Sequence, residues 1–356
     1  MNAEHYARRR ERLRPLLREN GLDALLVSLD ANRFYLSGFE LHDAQINESC
    51  GRLLITADGP DWLCTDPRFE EAARRLWDRE HIFIYSGNAA ERLREFVKGR
   101  FSGAIGYESS CVSMAFYDSF AGGLSLKKAD GLVEKLRVIK EPEEIARLER
   151  ACALNHRLME WLPQVLYPGR TEAQVAWDIE KFFRENGASE LAFPSIVAAG
   201  ANAAMCHAIP DDTVLHENCP LLVDVGCRVD DYCSDQTRTF WVGDRPADEF
   251  LRTRDIVQHA QRVAIDIMRP GMPLADAHNM ALAVFERHGV AAAFTHSLGH
   301  GIGLQTHEAP AVNHRTDARL EPGMVITVEP GLYFPVWGGV RWEYMVHCTE
   351  DGVRVL

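Results

Sequence analysis

Two stretches of this 356-residue chain repeat one another. Residues 167–187 (YPGRTEAQVAWDIEKFFRENG) align without a gap on residues 269–289 (RPGMPLADAHNMALAVFERHG) at an offset of 102. The match sets Pro168 on Pro270, Gly169 on Gly271, Ala173 on Ala275, Phe183 on Phe285 and Gly187 on Gly289. Each copy reads as a Pro-Gly turn, one amphipathic helix and a glycine C-cap, and Thr171 with Gln174 forms a capping-box pattern. A duplication of this kind predicts two half-domains of common ancestry related by a pseudo-twofold. It continues into LLVDVG (221–226) and ITVEPG (326–331), now at an offset of 105. Each is a β-branched run placing one carboxylate, Asp224 or Glu329, just before a glycine. A returning strand then carries a second acid, Asp235 in SDQTRTF and Glu343 in VRWEYMV. Facing each other, the two halves would gather four carboxylates in one place.

Four ionised acids at close quarters in a protein interior require cations or protons. A histidine beside them favours Mn²⁺, Co²⁺, Fe²⁺ or Zn²⁺ over the Mg²⁺ or Ca²⁺ of an all-oxygen site. SLGHGIGLQTHE (297–308) offers His300, flanked by glycines 299, 301 and 303, with His307 seven residues on. Four acids and one imidazole suit a two-metal site, which activates water and polarises a carbonyl. The net charge of −13 argues against nucleic acid or an anionic membrane surface as partner. No apolar run is long enough for a transmembrane helix, and the basic opening residues lack the apolar core of a secretory signal. Nine cysteines without a CxxC pair read as reduced thiols in a cytoplasmic protein. Cys227 and Cys233, near the first acid pair, read as small buried hydrophobes.

The first 130 residues read as a mixed α/β unit without chemistry-bearing motifs. A helix over 6–19 ends at Asn20-Gly21, and short β-like runs at 24–28, 51–56, 62–65 and 81–85 alternate with helical stretches at 69–77 and 90–97. A long amphipathic helix is expected over 136–161, entered through Glu141-Pro142, with the domain boundary just before it.

LLVDVGCRVDDYCSDQTRTF, HSLGHGIGLQTHEAP, LEPGMVITVEPGLYF and GGVRWE resemble the pita-bread metallopeptidases, which include methionine aminopeptidase, aminopeptidase P and prolidase. NRFYLSGF, TDPRFEEAA and LRVIKEPEEIARLERA resemble the creatinase-type N-terminal domain and linker helix of the proline-specific branch. The resemblance implies an α/β (α+β) chain with a creatinase-like domain over 1–130 and a pita-bread catalytic domain with duplicated halves over 131–356. It implies Asp224, Asp235, His300, Glu329 and Glu343 as ligands of two divalent ions, Mn²⁺ first and Co²⁺ or Zn²⁺ next. Asp235 and Glu343 would bridge them. It also implies Glu329 as general acid/base, His207 (in MCHAIP) lining the substrate pocket, His307 hydrogen-bonding the scissile carbonyl or the tetrahedral intermediate, and a homodimer.

The activity so implied is hydrolysis of Xaa-Pro peptide bonds in small peptides with proline second, as in a prolidase. The alternatives are aminopeptidase P acting on longer peptides, another amidohydrolase, or a non-catalytic binding module on the same scaffold. A dipeptidase must read the proline carboxylate, for which arginine is suited. Arg315 and Arg341 are the candidates for substrate binding. One departure from the family pattern is Tyr344, which follows the last acid where an acidic or amide residue is usual. Strand alternation turns it away from the ligands.

Overall fold

The computed structural model describes residues 3–43, 45 and 48–356. Its contacts divide the chain into a first unit ending at Arg137 and a second, Val138–Leu356.

In the first unit the helices are α1 (Ala3–Glu19), α2 (Asp30–Ser37), α3 (Glu70–Leu76), α4 (Ala89–Lys98), α5 (Met114–Ala121) and the short α6 (Glu134–Val138). The strands are β1 (Ala24–Val27), β2 (Arg52–Thr56), β3 (Trp62–Thr65), β4 (Ile82–Ile84), β5 (Ala104–Tyr107) and β6 (Ser125–Lys128). They form one mixed sheet in the order β4-β3-β2-β1-β5-β6. Leu26 and Leu54 on its central strands pack with Leu93 and Val97 of α4, all of them buried. Sequence periodicity finds α1, β1 to β4 and α4. It also finds α3, as the helical stretch 69–77, and passes over α2, β5, α5 and β6.

A buried carboxylate ties this unit together. The residue preceding α2, Leu29, has no capping side chain. Glu108, just beyond β5, instead fixes the segment leading into α2 and accepts from the Ser28 and Leu29 amides at 2.6 and 2.7 Å. Asn32 donates to Glu108 at 2.7 Å and to Glu134 at 2.9 Å, while its carbonyl accepts from Arg137. Tyr35 OH reaches the Leu136 carbonyl at 3.2 Å, which holds α6 in the same network.

The helix expected over 136–161 is interrupted. It consists of α6 and, after a break, α7 (Pro142–Trp161). Pro142 has no N–H for a continuing helix, and Glu141 is extended (φ −75°, ψ 157°). The Glu144 carboxylate accepts the Glu141 amide at 3.0 Å, so α7 starts afresh there.

In the second unit the remaining helices are α8 (Glu172–Glu185), α9 (Asp248–Asp266) and α10 (Leu274–Arg287). The strands run β7 (Glu190–Leu191), β8 (Ile196–Ala199), β9 (Cys219–Val225), β10 (Cys227–Val229), β11 (Tyr232–Cys233), β12 (Gln236–Val242), β13 (Gly299–Gly301) and β14 (Glu308–Val312). They continue with β15 (Val325–Val328), β16 (Gly331–Phe334), β17 (Gly338–Arg341), β18 (Tyr344–Cys348) and β19 (Val353–Val355). The duplication is visible in the coordinates. Helices α8 and α10 are both 14 residues long and begin 102 apart, at Glu172 and Leu274. The turn glycines Gly169 and Gly271 both have positive φ, 92° and 84°. Gly169 donates to Leu215 and Gly271 to Leu320, and the return bonds run from Leu215 to Arg170 and from Leu320 to Met272. Antiparallel pairs β9–β12 and β15–β18 are the corresponding strands of the two halves. Each half keeps its own apolar core, around Val175, Ile179 and Phe183 in the first and around Ala277, Ala281 and Phe285 in the second.

Burial pushes the Glu108 carboxyl up to about 7 against its three N–H donors, with the nearby Glu134 adding to the rise. The folded chain therefore holds a proton that the unfolded chain releases near 4.5, and stability falls as pH rises between those values. Melting curves from pH 5 to 8 should show this decline, worth up to on the order of 3 kcal/mol. Glu108→Gln should flatten it, and an unchanged slope in that variant would assign the pH response elsewhere.

Candidate active site

The four acids occupy corresponding positions in the two halves. Asp224 is in β9, paired with Thr237 of β12, and Asp235 immediately precedes β12. Glu329 immediately follows β15 and Glu343 immediately precedes β18. His300 stands on β13 at a β-bulge. Its neighbours must be glycines, because a Cβ at Gly299 would lie 2.0 Å from the Thr327 carbonyl and one at Gly301 2.2 Å from the Ala309 carbonyl. The His300 Nδ1 faces the Gly301 carbonyl at 3.0 Å. That contact leaves Nε2 toward the acids, 3.3 Å from Glu329 Oε1 and 3.6 Å from Asp235 Oδ2.

Donor atoms of Asp235, His300 and Glu343 all lie within 4.8 Å of one another. Asp224 Oδ1 and Glu343 Oε1 are buried without a hydrogen-bond partner. Burial, then the Glu343 and Asp224 charges, push the Asp235 carboxyl far up, and burial with Glu329 and Asp224 does the same to Glu343. Burial also acts on Glu329, but the His300 hydrogen bond and charge prevail and bring it down to about 2. Orphaned oxygens, mutually raised carboxyls and an imidazole aimed among them fit divalent cations, for which these five residues could serve as ligands.

One arginine is built into this cluster. Arg341, at the end of β17, is buried and donates from Nη2 to Asp224 Oδ2 at 2.6 Å and from Nε to Thr237 Oγ1 at 2.9 Å. Its Nη1 donates to Tyr333 OH at 2.8 Å. Thr237 in turn donates to Glu343 Oε2 at 2.8 Å. Arg341, one of the two arginines expected to bind substrate, thus stands against both Asp224 and the cavity. It lines the cavity, yet its fork is taken up in orienting Asp224 and Thr237.

The cavity over the acids measures about 510 Å³ and is lined by His207, His300, His307, Asp224, Asp235, Glu329 and Arg341 together with apolar residues that include Phe193 and Ile209. Glu172 at the start of α8 accepts from the Ala199 amide and Asn202 Nδ2, which anchors the segment leading to His207. The loop bearing His307 is held by Lys140, whose ammonium pairs with Glu308 at 3.3 Å, and by Arg228, which donates to the Leu304 carbonyl. The His300 and His307 rings meet edge-on at 4.3 Å. Arg315 is exposed and is not among the cavity-lining residues. Its own amide donates to Asn313, whose side chain is 3.5 Å from Ser297 on the cavity wall.

Sequence reasoning passed over His296 and Tyr333. His296 lines the cavity, and its Nε2 is 2.9 Å from Tyr333 OH. The available signal was its position one helical turn's length before His300 in a segment already rich in donors. It passed over the second side of Tyr344 as well. Arg238, buried behind the acids, has its guanidinium 4.5 Å from the Trp342 ring and 4.3 Å from the Tyr344 ring, and donates to the Glu343 carbonyl at 2.5 Å. Tyr344 thus forms part of an aromatic clamp on the cation that fixes the Glu343 backbone.

Residues 146–350 match the model of metallopeptidase family M24, and residues 9–139 that of the creatinase/prolidase N-terminal domain. The chain is 30% identical over 351 residues to an Xaa-Pro dipeptidase of Pyrococcus furiosus, covering 98% of this chain and 97% of that one. Among solved structures, the Xaa-Pro dipeptidase from Bacillus anthracis superposes with a TM-score of 0.92 at 32% identity, covering 98% and 97% of the two chains. The X-Pro aminopeptidase from Thermotoga maritima gives a TM-score of 0.81 at 30% identity, with 94% of each chain covered.

The clamp makes a specific expectation. Tyr344→Phe keeps the ring and should retain divalent metal like the unaltered protein. Tyr344→Ala should release it at roughly tenfold lower chelator concentration, read by elemental analysis after graded chelation. Equal retention in the two variants would dismiss the clamp.

Proposed function

The chain belongs to metallopeptidase family M24, and from that membership and the site geometry we propose that it is a dinuclear metal-dependent hydrolase of Xaa-Pro bonds acting as a prolidase. The observation carrying this reading is the convergence of four acids and His300, with Asp224, Asp235, Glu329 and His300 lining a peptide-sized cavity and the buried Glu343 grouped with Asp235 and His300. Asp224, Asp235, His300, Glu329 and Glu343 would hold the ions. The ions, when bound, supply Lewis acidity and an activated water at neutral pH. The protein's own groups do the rest. Glu329 takes a proton from the attacking water and returns it to the leaving nitrogen. His207 and His307, both exposed to the cavity, stabilise charge developing on the scissile carbonyl oxygen. Arg341 and Thr237 keep Asp224 and Glu343 in place as positioning residues. An Xaa-Pro bond has no N–H, so recognition rests on the apolar walls and the chain ends of the peptide.

We assign the proline carboxylate to Arg315. The fork of Arg341 is committed to Asp224, whereas Arg315 is exposed on a loop joined through Asn313 to the cavity wall. The oxygen-rich donor set with one imidazole supports Mn²⁺, with Co²⁺ or Zn²⁺ as substitutes. The nine free cysteines support a reducing, cytoplasmic setting. Among the described residues no helix is long and apolar enough to cross a membrane. A homodimer rests on the family resemblance alone. The similarity to an X-Pro aminopeptidase favours longer peptides as the second reading.

Turnover of Ala-Pro and Ala-Pro-Ala, each assayed with Mn²⁺, Co²⁺ and Zn²⁺, separates these readings. We expect the dipeptide to be strongly preferred, and comparable tripeptide turnover would replace prolidase by aminopeptidase. Chelation, Asp235→Asn and Glu343→Gln should each reduce both activities to background. Arg315→Ala should raise the dipeptide KM roughly tenfold, as expected for one lost charged hydrogen bond, with little effect on tripeptides. A similar change with both substrates would remove Arg315 from carboxylate recognition.

A further inference from the structure

The first unit contains a cavity of about 690 Å³, larger than the one over the acids and with no part in the proposed reaction. On its wall lies Arg52, the first residue of β2, which is 7% exposed. A guanidinium buried to this degree is normally matched by a carboxylate. Among the described residues no acid lies within ion-pair distance of Arg52. Its charge is met by the Phe116 ring, 4.1 Å away, and by the neighbouring Tyr85 phenol, while its Nε is buried without a hydrogen bond. Asp43, whose charge also reaches it, is already paired with Arg33 at 2.9 Å.

The other cavity walls also favour an anion. Asn88 and Ser113, both lining residues, are the caps of α4 and α5, so two helix N-termini open onto the same space. The partial positive charge at those ends adds to that of Arg52. Asn88 Oδ1 accepts the Ala90 and Glu91 amides, and Ser113 Oγ accepts the Phe116 amide. Two acids, Glu48 and Asp66, lie on the rim, and Arg68 bonds both at 2.8 Å. Arg52 and Arg68 against Glu48 and Asp66 bring the lining to zero net charge, with the buried positive charge at the Arg52 end and the acids at the rim. This arrangement suits a monoanion and disfavours a dianion. The Phe116 and Tyr85 rings and the volume admit an organic group of amino-acid size.

We propose that this cavity is a binding site for a small organic monocarboxylate, with the Arg52 guanidinium as its counter-ion. The site is separate from the metal cluster and does not depend on which peptide that cluster hydrolyses. Binding to the folded chain alone raises its melting temperature in a saturable way.

Acetate, L-proline and inorganic phosphate serve as probes against the metal-loaded protein, with chloride at matched ionic strength as control. Acetate and proline should raise the melting temperature by a few degrees with saturation, and phosphate by less. In Arg52→Met the carboxylate response should fall to the part contributed by the catalytic metals. Without added anion that variant should melt no lower than the parent, since it removes a buried charge lacking a partner. Any binding at the catalytic metals persists in Arg52→Met and is thereby subtracted. Ser86→Trp, at an exposed lining residue, should weaken the response independently, which covers the case in which Arg52→Met does not fold. No saturable response to carboxylate, or an equal response in both variants and parent, would overturn the site. A larger response to phosphate would overturn its assignment to a monocarboxylate.

Discussion

Asp224, Asp235 and Glu343 are buried with the half-buried Glu329 beside them, and the cations among them, Arg341 and a protonated His300, can answer at most two of their four charges. The remaining charge must be removed by protons or balanced by metal, and burial with mutual repulsion pushes the Asp235 and Glu343 carboxyls up. Such a cluster survives only if the scaffold fixes the acids despite their repulsion. The duplicated strand pairs do this. One acid of each half sits at the end of a strand paired along its length, and the other at the start of the strand that pairs with it.

The two halves are joined at the same place. Thr237 and Thr239 belong to β12, whereas Arg341 and Glu343 flank the junction of β17 and β18. The Glu343 amide donates to the Thr237 carbonyl, the Arg341 amide to Thr239 Oγ1, and Thr239 Oγ1 to the Arg341 carbonyl. Side chains repeat the connection, with Arg341 bridging to Asp224 and Thr237 to Glu343. Each acid pair is therefore oriented by the opposite half, and neither half alone would hold a complete site. Arg238 completes the arrangement from behind by fixing the Glu343 carbonyl between two aromatic rings.

Much of this is legible in the sequence because it rests on repetition. The offsets of 102 and 105 locate both 14-residue helices and both acid-bearing strands, and the glycines around His300 announce a packed backbone. What the sequence conceals depends on partners distant in the chain. The break before Pro142 is the exception, because Pro142 and the Glu144 cap are local and extend Glu141 inside the run of helix formers over 136–161. The pattern VRWE does not say whether Arg341 faces a ligand or a substrate, since that depends on Asp224, 117 residues away. Among the described residues Arg315 has no long-range side-chain partner of that kind to fix it, so neither pattern nor position defines its role. Tyr344 reads as a lapse from the family pattern until Arg238 and Trp342 are brought beside it.

Comparison of the buried arginines shows what is unusual about Arg52. Arg33 is fully buried and reaches Asp43 together with the Glu40 and Gly51 carbonyls. Arg9 donates to the Tyr35 carbonyl while lying over that ring, and Arg341 and Arg238 serve the acid cluster. In each of these the guanidinium donates to a carbonyl or carboxylate oxygen of the protein, which offsets the loss of its hydration. Arg52 has a ring and a phenol, and beyond them a cavity. A scaffold that equips its other buried guanidiniums with oxygen acceptors leaves this one facing open space, and the group best able to complete its coordination is a carboxylate arriving from solution.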